Sequence, residues 1–456
     1  MLKEKIIGFY LISVVLLLSA CSGSDYVNAI PDGSTALISV DMNNIGSNDG
    51  NTHLIAQLFN VSNPGDCGID LNSKLYFFEA PDGNLGLAAK VSSASRLTGW
   101  LNQLAEAGTA TEVSEKRGFQ FSVLKDSWVA GFSSNALLVM GPVVSNAQAA
   151  LIQQMANYLS QNEEQGIKGT PMFDILDSIN SPVAMVAQAQ ALPEKFIAPF
   201  TLGAPKDADA SQVLIAAEMT VADGCLNING ETFSFNRRID AALKEAVKSY
   251  RPIRGDYVQA MNASSVMGMF MNVEGNNFLK QLQQNKGLTA LLAGINSAID
   301  MDNILRSVDG DMAVTLPSYG EKFDITMAAR LAKRDFLNDV GYWKRSCPNG
   351  GQIIDTGKDS YCYTDGQTTF HFGVSPDNQF FAGSTSEMAK SAIGKSAQPL
   401  PEAVRQKIVG QKMVTIISLS AIDNEMAQTA RRLLQPLFGD VNTIVYTLTD
   451  RAGKQG

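Results

Sequence analysis

Histidine, tryptophan and cysteine are scarce in this chain: two, three and five residues among 456. With only His53 and His371 to draw on, a histidine-built metal centre or an acid–base triad has little material. No Cys-x-x-Cys pair is present, which removes the commonest thiolate metal and redox motif. No Gly-x-Ser-x-Gly elbow marks a serine hydrolase. Gly394-Lys395-Ser396 ends like a phosphate loop, but the glycine that such a loop needs five residues earlier is Ala389. Basic residues are outnumbered 36 to 45, and a net charge of -9 repels phosphate backbones and anionic head groups, which argues against nucleic acid as a partner. The apolar run from Ile6 to Leu18 is shorter than the roughly 20 residues that span a bilayer.

That short run has a meaning of its own. Lys3, Glu4 and Lys5 precede it and Leu18-Ser19-Ala20-Cys21 ends it, the layout of a secretory signal closed by a lipoprotein processing site. Cleavage before Cys21 makes this cysteine the mature N-terminus, with a diacylglyceryl group on sulfur and a further acyl chain on the amine. Each buried methylene contributes about 0.8 kcal/mol, so two or more chains anchor where one barely holds. Residues 1–20 are expected to be a cleaved signal peptide, Cys21 the lipidation site, and 21–25 a short tether. Ser22 stands where an aspartate would retain the protein at the inner membrane, which points to the outer membrane. Asp25 is the lone acidic residue of a surface-export pattern, so the periplasmic face and the cell surface both stay open.

Four further cysteines, an even number in an oxidising compartment, favour disulfides over metal thiolates. They permit three connectivities. Cys347 and Cys362 bracket a segment rich in Gly, Asn and Asp, and closing a loop of that size is worth about 3 kcal/mol in the chain-entropy model. Cys67 and Cys225, both in turn-like settings, pair by elimination.

The halves of the chain repeat each other. Tyr26-Val27-Asn28-Ala29-Ile30 recurs as Tyr257-Val258-Gln259-Ala260-Met261, each followed by a turn and an apolar strand, Thr35 to Asp41 in one case and Val266 to Asn272 in the other. Trp128 to Phe132 matches Phe370 to Val374, Leu137 to Gly141 matches Gln379 to Gly383, and Val183 to Ala187 matches Met413 to Ile417. The order of elements is the same. This predicts a first unit over 26–250 and a second over 257–456, joined at Arg251-Pro252-Ile253-Arg254-Gly255-Asp256, whose Pro and Gly suit a linker. Apolar residues at helical spacing predict helices over 96–105, 146–159 and 239–250. Strands such as Phe119-Gln120-Phe121-Ser122-Val123 alternate, so one face is covered and the other wet. The expected fold class is α+β: two tandem similar units, each a mainly antiparallel sheet packed with amphipathic helices.

A lipobox, then Tyr26-Val27-Asn28-Ala29-Ile30-Pro31-Asp32-Gly33, then a strand ending Val40-Asp41-Met42, resembles an uncharacterised, domain-of-unknown-function family of cell-envelope lipoproteins from Bacteroidetes-type Gram-negative bacteria. The resemblance covers nearly the whole mature chain. It rests on the N-terminal motif and the layout, and it implies no catalytic residue, because the family has no assigned activity.

Individual chemistry candidates each have a plainer reading. Met267, Met269 and Met271 have thioethers that suit Cu(I), yet their partners in the first half are Ala36, Ile38 and Val40, which reads as a buried strand face. His371 matches Val129 and reads as a sheet-face histidine; His53 follows a polar loop and reads as solvated. The stretch from Asp41 imitates a calcium loop at Asp41, Asn43 and Gly46 but has Ile45 and Thr52 where ligands belong. Asp32-Gly33, Asp82-Gly83 and Asp309-Gly310 are turn dipeptides. No metal and no cofactor is expected. The sequence therefore leads to a lipid-anchored envelope lipoprotein acting as a binding or scaffold module, held to the membrane through Cys21, with another envelope protein or a glycan as partner. The competing expectation is a surface hydrolase or glycan-binding lipoprotein in nutrient capture, using a carboxylate pair among 45 acidic residues and aromatics such as Trp128 or Trp343.

Overall fold

The computed structural model describes residues 25–44, 64–192, 197, 200–222, 224–285, 289, 298–318, 324–348, 350–422, 428 and 440–449. The signal segment, Cys21 and most of the tether, His53 and the end of the Asp41 loop lie outside the described residues. Contacts divide the chain into two compact units, Met1–Ala187 and Gln188–Gly456.

In the first unit the strands are β1 Ala36–Val40, β2 Leu75–Glu79, β3 Leu85–Lys90, β4 Ser114–Lys116, β5 Phe119–Leu124, β6 Trp128–Phe132, β7 Ala136–Gly141 and β8 Val183–Gln188. They pair in the order β8-β1-β2-β3-β7-β6-β5-β4, antiparallel throughout. Three helices accompany them: α1 Ala94–Glu106, α2 Gln148–Leu159 and α3 Pro171–Ser178. Helix α1 starts where the Ser93 hydroxyl accepts from the Arg96 N–H, and it buries Leu97 and Leu101 at helical spacing. Helix α3 starts with a Thr170 cap and Pro171 at its first position, where the missing N–H costs nothing. The turn Asp25–Ala29 buries Tyr26, Val27, Asn28 and Ala29, and α2 packs on β5, β6, β7 and this turn.

The second unit contains β9 Leu214–Ala222, β10 Cys225–Phe233, β11 Tyr250–Arg251, β12 Met267–Glu274, β13 Val308–Leu316, β14 Thr326–Leu331, β15 Gln352–Gly357, β16 Ser360–Thr364, β17 Thr369–Val374, β18 Gln379–Gly383, β19 Met413–Ser418 and β20 Thr443–Leu448. Its helices are α4 Arg237–Lys248, α5 Gly275–Gln284, α6 Met301–Arg306, α7 Val340–Ser346, α8 Ser386–Ser391 and α9 Glu402–Gln406. Eight strands pair antiparallel in the order β19-β12-β13-β14-β18-β17-β16-β15. This is the order of the first unit, strand for strand. Beyond β19 the sheet continues through β20, β10 and β9, with β20 and β10 parallel. The fold is α+β with mostly antiparallel strands. No helix among the described residues is long and apolar enough to cross a membrane.

The β9–β10 hairpin extends the second unit's sheet through β20. Two sequence expectations differ from the structure. Arg251 to Asp256 is no free linker: Arg251 pairs with Asn272, and Ile253 is buried and exchanges backbone hydrogen bonds with Gly410 and Gln411. Asp309-Gly310 is not a turn but lies within β13, where the register with β14 shifts and Gly310 adopts φ of 148°.

Candidate functional site

The segment from Arg254 to Tyr257 is held by one carboxylate. Asp311 on β13 is 2% exposed. Its oxygens accept from the backbone N–H groups of Arg254 at 2.9 and 3.0 Å, Gly255 at 2.6 Å and Asp256 at 3.0 Å, and from Asn272 Nδ2 at 2.8 Å. Successive N–H groups converging on a carboxylate form an anion nest whose ligand the chain itself supplies. Asn272 also donates to the Pro252 carbonyl. This knot sets Tyr257 against the sheet.

Beyond Asp311 the same strand borders a cavity of about 120 Å³, walled by Ala313, Thr315, Thr326, Ala328, Tyr257 and Ala392 among others, none of them charged. Its floor is the cross-strand pair Thr315 and Thr326, 8% and 7% exposed, whose hydroxyl oxygens lie 2.5 Å apart. One proton joins the two hydroxyls, which leaves the other proton and free lone pairs for a guest. The phenol of Tyr257 is buried without a hydrogen-bond partner. Burial pushes it well above the ordinary tyrosine range; Arg330 opposes this, while Asp256, Asp311 and Asp377 add to it. In the first unit Tyr26 instead donates to the Lys74 carbonyl at 2.7 Å.

None of Cys67, Cys225, Cys347 and Cys362 forms a disulfide in the structure. For Cys347 and Cys362 the cause is the alternation of side chains along a strand. Tyr361, Tyr363, Phe370 and Phe372 share one face of the β16–β17 pair, where Trp343 of α7 lies 6.4 Å from Phe372. Cys347 follows α7 and acts on the Tyr363 phenol. Cys362 sits between Tyr361 and Tyr363 and faces the opposite side, its Sγ 3.5 Å from His371 Nε2. Cys67 and Cys225 are buried in different units, Cys225 within a core that includes Ile253 and Val445. Burial raises the Cys67, Cys347 and Cys362 thiols above the ordinary value, which slows their reaction. Denatured without reductant, the protein should take up one alkyl group at each of these four cysteines by mass spectrometry. In the native state Cys347, the least buried, should label first.

The other singled-out residues are structural. Burial holds His371 below the ordinary histidine value, Lys390 adds to this, and Nδ1 has no partner. Met269 and Met271 are buried on β12, and Met267 packs beside Val266 and Ile422. The Asp41 carboxylate accepts from the Asn43 N–H and the Asn44 amide, capping its own turn. The Ser396 N–H donates to the Gln259 carbonyl, so Gly394-Lys395-Ser396 is a tied-down turn. Trp343 is no loop aromatic open to a sugar: it is 4% exposed, on a helix, stacked at 11° on Phe336. Trp128 is half-buried at the start of β6. Among the described residues no group of three or more His, Cys, Asp or Glu is placed to hold a metal.

Known proteins give the following likenesses. No curated protein matches the chain. Two crystal forms of TP0453 are similar: form IV at 12% identity, covering 44% of this chain and 80% of that one with a TM-score of 0.28, and form III at 8% identity, covering 80% and 96% with a TM-score of 0.25. Likeness at that level bears on neither fold nor function. A family model described as a domain of unknown function, DUF4836, matches residues 42–405, from just after β1 through β2 to β18 and into α9. Most of the chain lies within that match, and it belongs to the DUF4836 family of domains of unknown function.

Proposed function

We propose that this is a lipid-tethered protein of the bacterial cell envelope, held at the outer membrane through Cys21, that binds rather than catalyses. The observation that carries the reading is the uncharged cavity over Thr315 and Thr326, formed where the nearby ionisable groups are engaged in structural bonds. Asp311 fastens a backbone segment, and Cys362 is spent on His371 within a sheet. The two units read as copies of one α+β ancestor, given the recurrence of Tyr26 to Ile30 as Tyr257 to Met261 and the common strand order. The lipobox, the Tyr26 to Gly33 motif and the family membership together support a Bacteroidetes-type envelope lipoprotein. Its partner would be another envelope protein or a glycan; with Trp343 packed inside the second unit, the hydrolase and sugar-platform reading has lost one of its two aromatics. A tether suits such a role, because confinement at a membrane raises the effective concentration of a binding surface without any chemistry of its own.

Metabolic labelling with radioactive palmitate tests the anchor. The wild-type chain should carry label and fractionate with outer membranes, and Cys21→Ala should lose the label and reduce the membrane-bound fraction by at least roughly tenfold, as expected when the acyl chains are removed. Cross-linking in intact outer membranes should then recover a defined partner with the wild type and lose it with Cys21→Ala. Retention of both label and membrane association by the variant would refute the reading.

A further inference from the structure

We propose that the second unit carries a binding site for a small, uncharged, partly apolar organic ligand with at least one hydrogen-bonding group, seated over Thr315 and Thr326 where the first unit is filled by its own aromatic side chains. This rests on the reading of the protein as a binding module, and it names which unit binds and what chemistry it takes.

The register of the two sheets makes the comparison residue by residue. Tyr26 precedes the first residue of β1 by the same step that separates Tyr257 from the first residue of β12. Ala36 pairs with Glu79 and Ala187; Met267 pairs with Leu316 and Ile417. Two rows running across the strands beneath the tyrosine then correspond. In the first unit they read Ser39–Tyr76–Ala88–Leu138 and Leu37–Phe78–Gly86–Met140. In the second they read Phe270–Ala313–Ala328–Phe381 and Gly268–Thr315–Thr326–Gly383.

The second row is where the copies part. In the first unit Phe78 is buried with its ring over Gly86, where a Cβ would come within 2.1 Å of the ring's Cζ. In the second unit all four positions are small. Over its two ends the neighbours have closed in: a Cβ on Gly268 would meet the Met261 sulfur at 2.3 Å, and one on Gly383 would meet the Ala389 backbone of α8 at 2.5 Å. Over the middle nothing has closed in, and the cavity of about 120 Å³ remains. One water needs only about 10–15 Å³. The space opens to the surface beside the exposed Ser391, so it is a pocket that a guest can enter and not a sealed void.

The walls define the guest. No lining side chain is charged, so an ionised guest would lose its hydration without gaining a counter-charge. Ala313, Ala328 and Ala392 with the Tyr257 ring offer apolar contact, and Asn262, Ser265 and Ser391 add uncharged polar groups to the lining. The threonine pair offers one hydroxyl proton and free lone pairs at the floor. A neutral alcohol, ether or amide with a compact hydrocarbon body satisfies all three.

The full-length chain, purified in detergent, is titrated with cyclohexanol and a panel of similar neutral alcohols, ethers and amides, with cyclohexanecarboxylate and cyclohexylammonium as charged counterparts. Melting is followed alongside NMR of the Ala and Thr methyl groups. At about ten times the dissociation constant a bound neutral probe should raise the melting of the second unit by roughly 3 °C and shift the Thr315 and Thr326 methyls saturably. The charged counterparts should do neither. The double exchange T315F/T326G installs the first unit's own Phe78–Gly86 pair; it should melt no lower than wild type and lose the response. Should that variant misfold, T315V/T326V keeps the shape without the hydroxyls and should weaken the neutral alcohols several-fold. The proposal is overturned if no neutral probe binds, if charged probes bind as well, or if both variants respond like wild type. None of those results touches palmitate labelling or partner cross-linking, so failure here and failure of the envelope-binding reading are told apart.

Discussion

Replacing Asp311 with alanine should lower the stability of the second unit by about 4 kcal/mol, because several part-buried donors lose their acceptor together. The carboxylate is 2% exposed and accepts from three consecutive backbone N–H groups and the Asn272 amide. Hydrogen bonds to a charged group contribute about 1.5–3 kcal/mol each, and the substitution leaves all four donors unmatched at once. The total stays below the simple sum because the Arg254 to Asp256 backbone is only part-buried and can recruit water. Asn272 lies deeper, at 1% exposed. Asp311→Asn should recover little: one amide oxygen still accepts, but the new NH₂ group points at N–H donors. Peptide-resolved hydrogen exchange separates the units. Protection should fall over Arg254 to Tyr257 and across β12 and β13, with the first unit unchanged. A loss under about 1 kcal/mol would mean that water replaces the carboxylate and that the knot has no structural importance.

Much of the framework could be read from the sequence, for definite reasons. Helix α1 was visible because Leu97, Trp100, Leu101 and Leu104 recur at helical spacing, and the observed Ala94–Glu106 contains the expected 96–105. Helices α2 and α4 follow from the same spacing, with Asn236 capping α4. Matching Val183 to Ala187 with Met413 to Ile417 agrees with the pairing, since β8 and β19 lie against β1 and β12 in the same register. Matching β7 with β18 by sequence was off by one residue: the pairing sets Leu138, not Val139, in the place of Phe381. Both faces of these strands are largely buried, so no alternation of apolar and polar residues fixes the register. The parallel pairing of β10 with β20 is not legible in the sequence, because the two strands lie some two hundred residues apart. Asp311 escaped because an aspartate in a strand carries no sign of the backbone that will fold onto it. The cavity escaped for the same kind of reason. Gly268, Thr315, Thr326 and Gly383 are scattered over more than a hundred residues and become one row only when four strands are paired.

Emptying the matching place in the first unit should be costly. Phe78 is 4% exposed, and its ring occupies the space that Gly86 leaves above the sheet. Phe78→Ala should destabilise the first unit by about 3–5 kcal/mol, the usual cost of deleting a buried phenylalanine whose surroundings relax only in part. Phe78→Thr, which copies the second unit, should cost nearly as much, because the added hydroxyl gains no threonine partner across the strand: Gly86 occupies that position. Urea unfolding followed by exchange over β1, β2 and β3 gives the measurement, with the second unit as the internal reference. The reciprocal exchange in the second unit should have the opposite sign, since there an aromatic ring enters a space already open and the two hydroxyls it displaces are bonded chiefly to each other. If instead Phe78→Thr proved harmless, the first unit would be closing its own gap by rearrangement, and the same relaxation would be open to the second. Walls that hold a space open instead of closing it by rearrangement are therefore the condition on which the binding site depends, and a small Phe78→Thr effect would remove it.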